Sequence, residues 1–345
     1  MTISVIIPIY KAEQYIRQCL ESVIDQEFNA FDIECILIDD VTPDRSMEIA
    51  NDVISDYHGS NITFVFLRHE ENRGPSAARN TGISAASGDY LLFLDSDDVF
   101  VENTLKTFFS YHLDYPTVDV IMGNTLWMES RFLSNTPITG KDNSPCLIDD
   151  MSLLWKLVLR RQIDRLVMNK LIRRSFIVDN NLYFDERVTL YEDAIWTYNL
   201  YSHISSILIV PVITYVYVDN SISLMHTSKQ QSSKLVDCLI MVSDFVFKHP
   251  PMINGKAIHY AAHRLFVAHW LMKAIDAKDN HQNVSNLDHI FYSIRNALLW
   301  DAVKHIRPFL ALFFLIMFVP LKTLFGIQWF RSKFYLLEKL VYKIS

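Results

Sequence analysis

Glycine is scarce in this chain, at 8 of 345 residues, which leaves little room for glycine-built linkers or repeats. No G-x-G-x-x-G and no G-x-x-x-x-G-K-[ST] occurs, so neither the dinucleotide fingerprint nor a P-loop is present to cradle phosphates. Cysteine is also sparse. Cys19, Cys35, Cys146 and Cys238 are scattered and form no C-x-x-C pair, which leaves a cysteine zinc site or a disulfide framework unsupported. A basic excess is missing too: the net charge is −7, which argues against a general nucleic-acid binder. An uncharged apolar stretch near the end, Phe309 to Leu321, has thirteen residues, with Pro308 before it and Pro320 next to its last residue. A spanning helix needs about 20. No secretory leader is read before the first apolar run, Val5 to Pro8, so a reducing, cytoplasmic location is expected. The sequons at Asn61 and Asn283 then read as chance.

What is present is a globular composition, 50% apolar and 21% charged, of a length that suggests two domains. The first hundred residues alternate strand and helix. Apolar runs Val5–Pro8, Ile33–Ile38, Ile62–Leu67 and Tyr90–Leu94 read as strands. Between them, Tyr15 to Ile24 repeats apolar residues at helical spacing. A helix capped by Thr42, with Pro43 at its first position, is expected to run to Tyr57. Pro75 to Ala86 reads as a third helix. Continuously apolar strands alternating with helices imply an α/β fold with a mostly parallel sheet covered on both faces. Ligands of such sheets bind beyond the carboxyl ends of the strands. Further on, Glu192 to Ser202 reads as helix, and Ile207 to Val218 as two short strands interrupted near Pro211. From about 229 the pattern is mainly helical.

Acidic residues gather at the carboxyl ends of these strands. Asp95, Asp97 and Asp98 follow the strand that ends at Leu94. Hard divalent cations want oxygen ligands, and Mg²⁺ is often held by one or two carboxylates plus substrate phosphates. The alternative is a capped turn. Asp39 and Asp40 end the second strand, where a carboxylate can accept a uracil imide or a ribose hydroxyl, or simply make a turn. In the stretch Asn72 to Gly82, Gly74 permits an unusual turn, and Arg79 on the helix can face a nucleotide or solvent. Glu192 and Asp193 open a helix, where the dipole favours negative charge, and one of them can act as a general base. His259 and His263 are one helical turn apart but lack a third ligand, so a surface pair is the simpler reading.

Taken in order, Ser4–Ile16, Asp39–Asp40, Gly74–Gly82, Ala86–Tyr90 and Asp95–Asp98 closely resemble glycosyltransferase family 2, the inverting sugar transferases of GT-A fold. The likeness stays clear through Asn169–Leu171, Tyr191–Asp193 and Ser221–Ser223 and ends near residue 230. It implies a GT-A catalytic domain over 1–225 and a helical region over 226–345. It also implies residue roles. Pro8 and Tyr10 would line the base pocket, and Asp39 would read uracil. Arg79 would contact the nucleotide. Asp95 would bind ribose or the metal, Asp97 would be the main metal ligand, and Asp193 would deprotonate the acceptor. His226 matches a position that in some such enzymes touches the metal or diphosphate. The implied cofactor is Mn²⁺ or Mg²⁺, the donor a UDP-sugar, and the acceptor a glycan or lipid-linked hydroxyl in cell-surface polysaccharide synthesis. Two departures stand out. Val41–Thr42 replaces the usual Gly-Ser, and Asp219 stands where an Arg is often seen.

Two rival functions remain at this level. A sugar nucleotidyltransferase would carry a Gly-rich basic loop after the first strand, where this chain reads Pro8-Ile9-Tyr10-Lys11-Ala12. A non-catalytic carbohydrate-binding or scaffold subunit would not need both Asp97 and Asp193. The charge is also unevenly spread. Residues 302–345 carry seven basic residues and one acid, a net of about +6, against −13 for the rest. An apolar, basic tail on an acidic body suggests peripheral contact with the inner face of an anionic membrane, with Phe309–Leu321 lying either in the interface or in the core.

Overall fold

The computed structural model describes residues 1–127, 143–159, 163, 165–218 and short segments between 238 and 257. The chain divides into two compact units, Met1–His226 and Thr227–Ser345. In the second, the described residues include a small antiparallel ladder, Met252–Ile253 with Lys256–Ala257.

The first unit is built on one sheet. Strands β1 (Thr2–Ile9), β2 (Asp32–Asp39), β3 (Ile62–Arg68) and β4 (Tyr90–Phe93) are the four apolar runs read from the sequence, and they pair in parallel as β3-β2-β1-β4. Helices α1 (Ile16–Ile24), α2 (Ser46–Ser55) and α3 (Pro75–Ala85) make the crossovers. α1 turns Ile16, Cys19, Leu20 and Val23 into the core. α3 packs so closely on β1 that a Cβ on Gly82 would strike the side chain of Ile6.

Beyond β4 the sheet continues with mixed direction. β5 (Val99–Phe100), β6 (Val120–Trp127), β7 (Cys146–Ile148), β8 (Lys170–Arg173) and β9 (Ile207–Tyr217) complete it, in the order β4-β8-β6-β9-β5, with β7 also on β9. β8 runs antiparallel to both β4 and β6, whereas β6 and β9 are parallel. Helices α4 (Thr104–Asp114), α5 (Met151–Leu159), α6 (Arg174–Asp179) and α7 (Glu192–His203) flank it. This mixed sheet flanked by helices is the expected GT-A architecture.

Two elements differ from the sequence reading. α2 begins at Ser46, with Arg45 rather than Thr42 before it. The Thr42 hydroxyl is engaged elsewhere, accepting the Lys11 N–H at 2.8 Å and donating to Asp44 at 2.6 Å. β9 is one continuous strand through Pro211. Its ladder with β6 slips between Met122 and Thr125, and the skipped residues include Pro211. A bulge there removes the need for the missing proline N–H.

Candidate active site

Three strand ends make one edge. Ile9 at the end of β1 lies in register with Asp39 at the end of β2. β4 follows β1 until the Leu94 N–H donates to the Ile6 carbonyl at 3.0 Å, and the chain leaves the sheet at Asp95. Asp95 to Asp98 then forms a turn, closed by a 3.0 Å bond from the Asp98 N–H to the Asp95 carbonyl.

The two acids after β2 divide their labour. The buried Asp39 carboxylate accepts the Thr42 N–H at 2.8 Å and lies 3.5 Å from the exposed Arg68 guanidinium. Asp40 builds the neighbouring loop. It accepts the N–H groups of Arg73 and Gly74, each at 2.8 Å, and meets His69 Nδ1 at 2.7 Å. His69 Nε2 in turn lies 2.9 Å from the Thr81 hydroxyl on α3. Gly74 occupies φ +85°, a conformation that favours glycine. No local pattern marks His69, because its partners lie 29 and 12 residues away.

Val41, between Asp40 and Thr42, adopts φ +56°, and Lys11 adopts +55°. These are left-handed positions, unusual for side chains with a Cβ and costly for a β-branched one. The loops after β1 and β2 are laced together around them, with Ala12 N–H on the Ser46 hydroxyl at 2.9 Å and Glu13 N–H on Asp44 at 3.1 Å. Pro8 is half-buried, and Tyr10 stands exposed beside it with Lys11 Nζ 5.2 Å from its ring centre.

Arg79 is the centre of the site. It is 5% exposed, and its two terminal nitrogens reach Asp95 Oδ1 and Glu192 Oε1 at 2.8 Å each. The resemblance implies a nucleotide contact, and the guanidinium is held by two protein carboxylates. Burial lowers its proton affinity, yet the charges of Asp95 and Glu192 outweigh this and push its pKa further above the usual arginine value. Its flat face lies over Phe184, 5.5 Å from the ring centre. Phe184 stacks in parallel on Trp196 of α7 at 4.9 Å.

Asp193 follows Glu192 in the first turn of α7, after Tyr191 at φ +60°. One of its oxygens accepts the Ala194 N–H at 2.8 Å. Desolvation by burial, joined by the Glu192 charge, raises its pKa to about 7 against the opposing pull of Arg79 and the Ala194 N–H.

The three acids of the turn are not equivalent. Asp98 points inward, 1% exposed, accepting the Tyr215 hydroxyl at 2.6 Å and the Val218 N–H at 2.8 Å. Burial and the charges of Asp95 and Asp97 raise its pKa to about 9. Asp97 is half-buried. The third carboxylate therefore fastens the turn to β9 instead of facing the edge. Among the described residues, no three His, Cys, Asp or Glu side chains form a self-contained metal site. Asp97 and the free oxygen of Asp95 suit a cation whose other ligands are phosphate oxygens.

An aromatic pair borders these acids. Trp127 and Tyr217, at the ends of β6 and β9, have ring centres 4.6 Å apart. Burial, then the charges of Asp98, Asp97, Asp95 and Asp193, raise the Tyr217 pKa, which places its hydroxyl in the field of the acid cluster. His226, Asp219 and Ser221–Ser223 lie outside the described residues.

Residues 4–171 match the family model described as Glycosyl transferase family 2. These residues form a glycosyltransferase family 2 domain. The chain is 28% identical over 243 residues to the uncharacterized glycosyltransferase EpsJ of Bacillus subtilis, with 68% of each chain covered. It is 26% identical over 217 residues to the poly(ribitol-phosphate) beta-N-acetylglucosaminyltransferase TarS of Staphylococcus aureus, covering 63% of this chain and 35% of that protein. The TarS 1-349 structure in complex with UDP-GlcNAc superimposes with a TM-score of 0.63 at 20% identity, covering 87% of this chain and 80% of that one. A mannosyltransferase from Pyrobaculum calidifontis, in complex with GDP-Man and Mn²⁺, superimposes with a TM-score of 0.52 at 14% identity, covering 98% of this chain and 86% of that one.

Proposed function

We propose that this family 2 glycosyltransferase moves a sugar from a UDP-sugar to a hydroxyl of a glycan or lipid-linked acceptor, with inversion, in cell-surface polysaccharide synthesis. The observation that carries the reading is Asp193, a carboxyl raised to about 7 and tied through Glu192 and Arg79 to the turn that follows β4. A general base works best when its pKa lies near the operating pH. The TarS complex with UDP-GlcNAc supports a uridine nucleotide donor. The poly(ribitol-phosphate) activity in the name of TarS supports a surface-polymer acceptor.

The assigned roles follow the strand edge. Pro8 and Tyr10 border the base, Asp39 accepts from the uracil, Arg79 contacts the nucleotide, and Asp95 serves the ribose or the metal with its oxygen not held by Arg79. Asp97 would hold a divalent ion, Mn²⁺ or Mg²⁺, together with the donor phosphates, and His226 is assigned to the same ion or the diphosphate. When bound, such an ion supplies Lewis-acid neutralisation of the charge that grows on the departing diphosphate. The bound Mn²⁺ of the mannosyltransferase neighbour supports this assignment. Asp193 takes the acceptor proton as its oxygen attacks the anomeric carbon, opposite the leaving group, through an oxocarbenium-like transition state.

Two variants test the reading in an assay of UDP release from UDP-GlcNAc and related donors. Asp193→Asn is expected to lose turnover by about 10²-fold or more, the range of general base catalysis, while donor affinity stays near wild type. Asp97→Ala is expected to lose metal-dependent donor binding. Equal loss of binding and turnover in Asp193→Asn would reject the base assignment.

A further inference from the structure

We infer that Glu192 is a positioning residue for the acceptor base: gripping Arg79, it fixes the helix that carries Asp193 to the turn that carries Asp95 and Asp97. The inference rests on the reading of Asp193 as the base and adds to it the part that sets the base in place.

The geometry supports a two-ended clamp rather than a stray ion pair. Arg79 comes from α3, Asp95 from the turn after β4, and Glu192 from the first turn of α7, so three segments far apart in sequence meet at one guanidinium. The side chains of Arg79, Asp95 and Glu192 are only 6%, 24% and 13% exposed. A guanidinium is a rigid planar fork, so two carboxylates bonded to its two terminal nitrogens are fixed in distance and direction. No other group shares the load, because the Arg79 Nε is buried without a hydrogen-bond partner. Phe184 supports the flat face of the fork, and Trp196 behind it donates its indole N–H to the Leu182 carbonyl at 3.0 Å. Removing either carboxylate would leave a buried cation half-compensated, so each end of the clamp needs the other.

The clamp also fixes the charge around Asp193. The groups that act on it are Glu192 on its own helix, Arg79 from α3, Asp95 from the turn and the Ala194 N–H, and its own charge is felt by the hydroxyls of Tyr191 and Tyr217. Glu192 and Asp95 oppose ionisation of Asp193, and Arg79 favours it. Glu192 is thus the charged group nearest the base in sequence and the one that orients the cation opposing it.

The test is the pH profile of UDP release from UDP-GlcNAc, or from the related donor that turns over fastest, measured with the full chain and Mn²⁺. Glu192→Gln keeps an acceptor oxygen for Arg79 but removes the charge. Its acid limb is expected to move to lower pH, with kcat reduced about tenfold and donor KM changed less than threefold. Glu192→Asp keeps the charge but is too short to reach, so it is expected to lose at least tenfold in kcat with the acid limb near its wild-type position. An acid limb unmoved in Glu192→Gln, with donor affinity and melting temperature at wild-type values, overturns the inference. So does a Glu192→Gln that melts earlier with no change in profile, because that marks a role in stability alone. Turnover retained in Asp193→Asn would instead bring down the base reading itself, whichever way Glu192 behaves.

Discussion

Asp193 must be ionised to accept a proton, so its raised pKa sets the acid side of the rate profile. With the carboxyl at about 7, kcat/KM is expected to fall roughly tenfold per pH unit below that value and to level above it. The same shift has a sign for stability. Between the ordinary carboxyl value of 3.8 and about 7, the folded chain holds a proton at Asp193 that the unfolded chain has released. Stability therefore declines as pH rises through that window. Asp193→Asn removes the ionisation, so its melting temperature relative to wild type should be higher at pH 8 than at pH 5. A difference independent of pH would contradict the placement of this carboxyl. Val41 makes a second residue-level case. Its backbone at φ +56° costs about 1–2 kcal/mol for a residue with a Cβ, while glycine gives back roughly 0.5–1 kcal/mol in chain entropy. Val41→Gly should stabilise by about 0.5–1 kcal/mol on that balance, read from urea unfolding. A loss would mean that the half-buried valine side chain contributes more by packing than its backbone costs.

At the scale of elements, the parallel half of the sheet is legible because its strands are continuous apolar runs and its helices carry one stripe each. The strand-edge acids are legible for the same reason: Asp39 and Asp95 stand directly after such runs. What escapes a reading of the sequence are the groups defined by distant partners. Nothing in the pattern around Thr42 announces that its hydroxyl serves Lys11 and Asp44, so the start of α2 reads three residues too early. Pro211 resembles a strand end because its neighbours on β6 and the bulge between them are invisible locally. Asp98 reads as one more carboxylate at the strand end until Tyr215, 117 residues away, takes its carboxyl inward. The pairing of Arg79 with Glu192, across 113 residues, is hidden in the same way. The tie from the turn to β9 can be tested directly. Tyr215→Phe keeps the ring in the core but deletes the hydroxyl that donates to Asp98 and accepts the Asp95 N–H at 3.3 Å. It should cost about 1–3 kcal/mol, the penalty of a buried polar group left without its partner. Donor affinity should weaken with it if the turn is held by this bond. Full affinity at reduced stability would show that the turn keeps its shape without β9.

For the whole molecule, charge is the property that the fold does not explain. The body up to residue 301 carries 25 basic and 38 acidic residues, and the remaining 44 residues reverse the sign. No helix among the described residues is long and apolar enough to cross a membrane, and residues 302–345 lie outside them. We propose surface attachment through this tail. Each lysine or arginine near an anionic leaflet contributes about 1 kcal/mol, and the effect fades within a Debye length of roughly 10 Å in 0.1 M salt. An apolar stretch such as Phe309–Leu321 adds a salt-independent share if it enters the interface. The two contributions separate in a flotation assay. With phosphatidylserine vesicles, the full chain should float at low salt, and partial release should follow at 1 M salt. A chain ending near residue 301 should stay in the soluble fraction on both occasions, provided its donor binding confirms that the catalytic unit is intact. Equal flotation of the shortened chain would move the attachment onto the acidic body, where electrostatics alone would oppose it, and would reject the tail as the anchor.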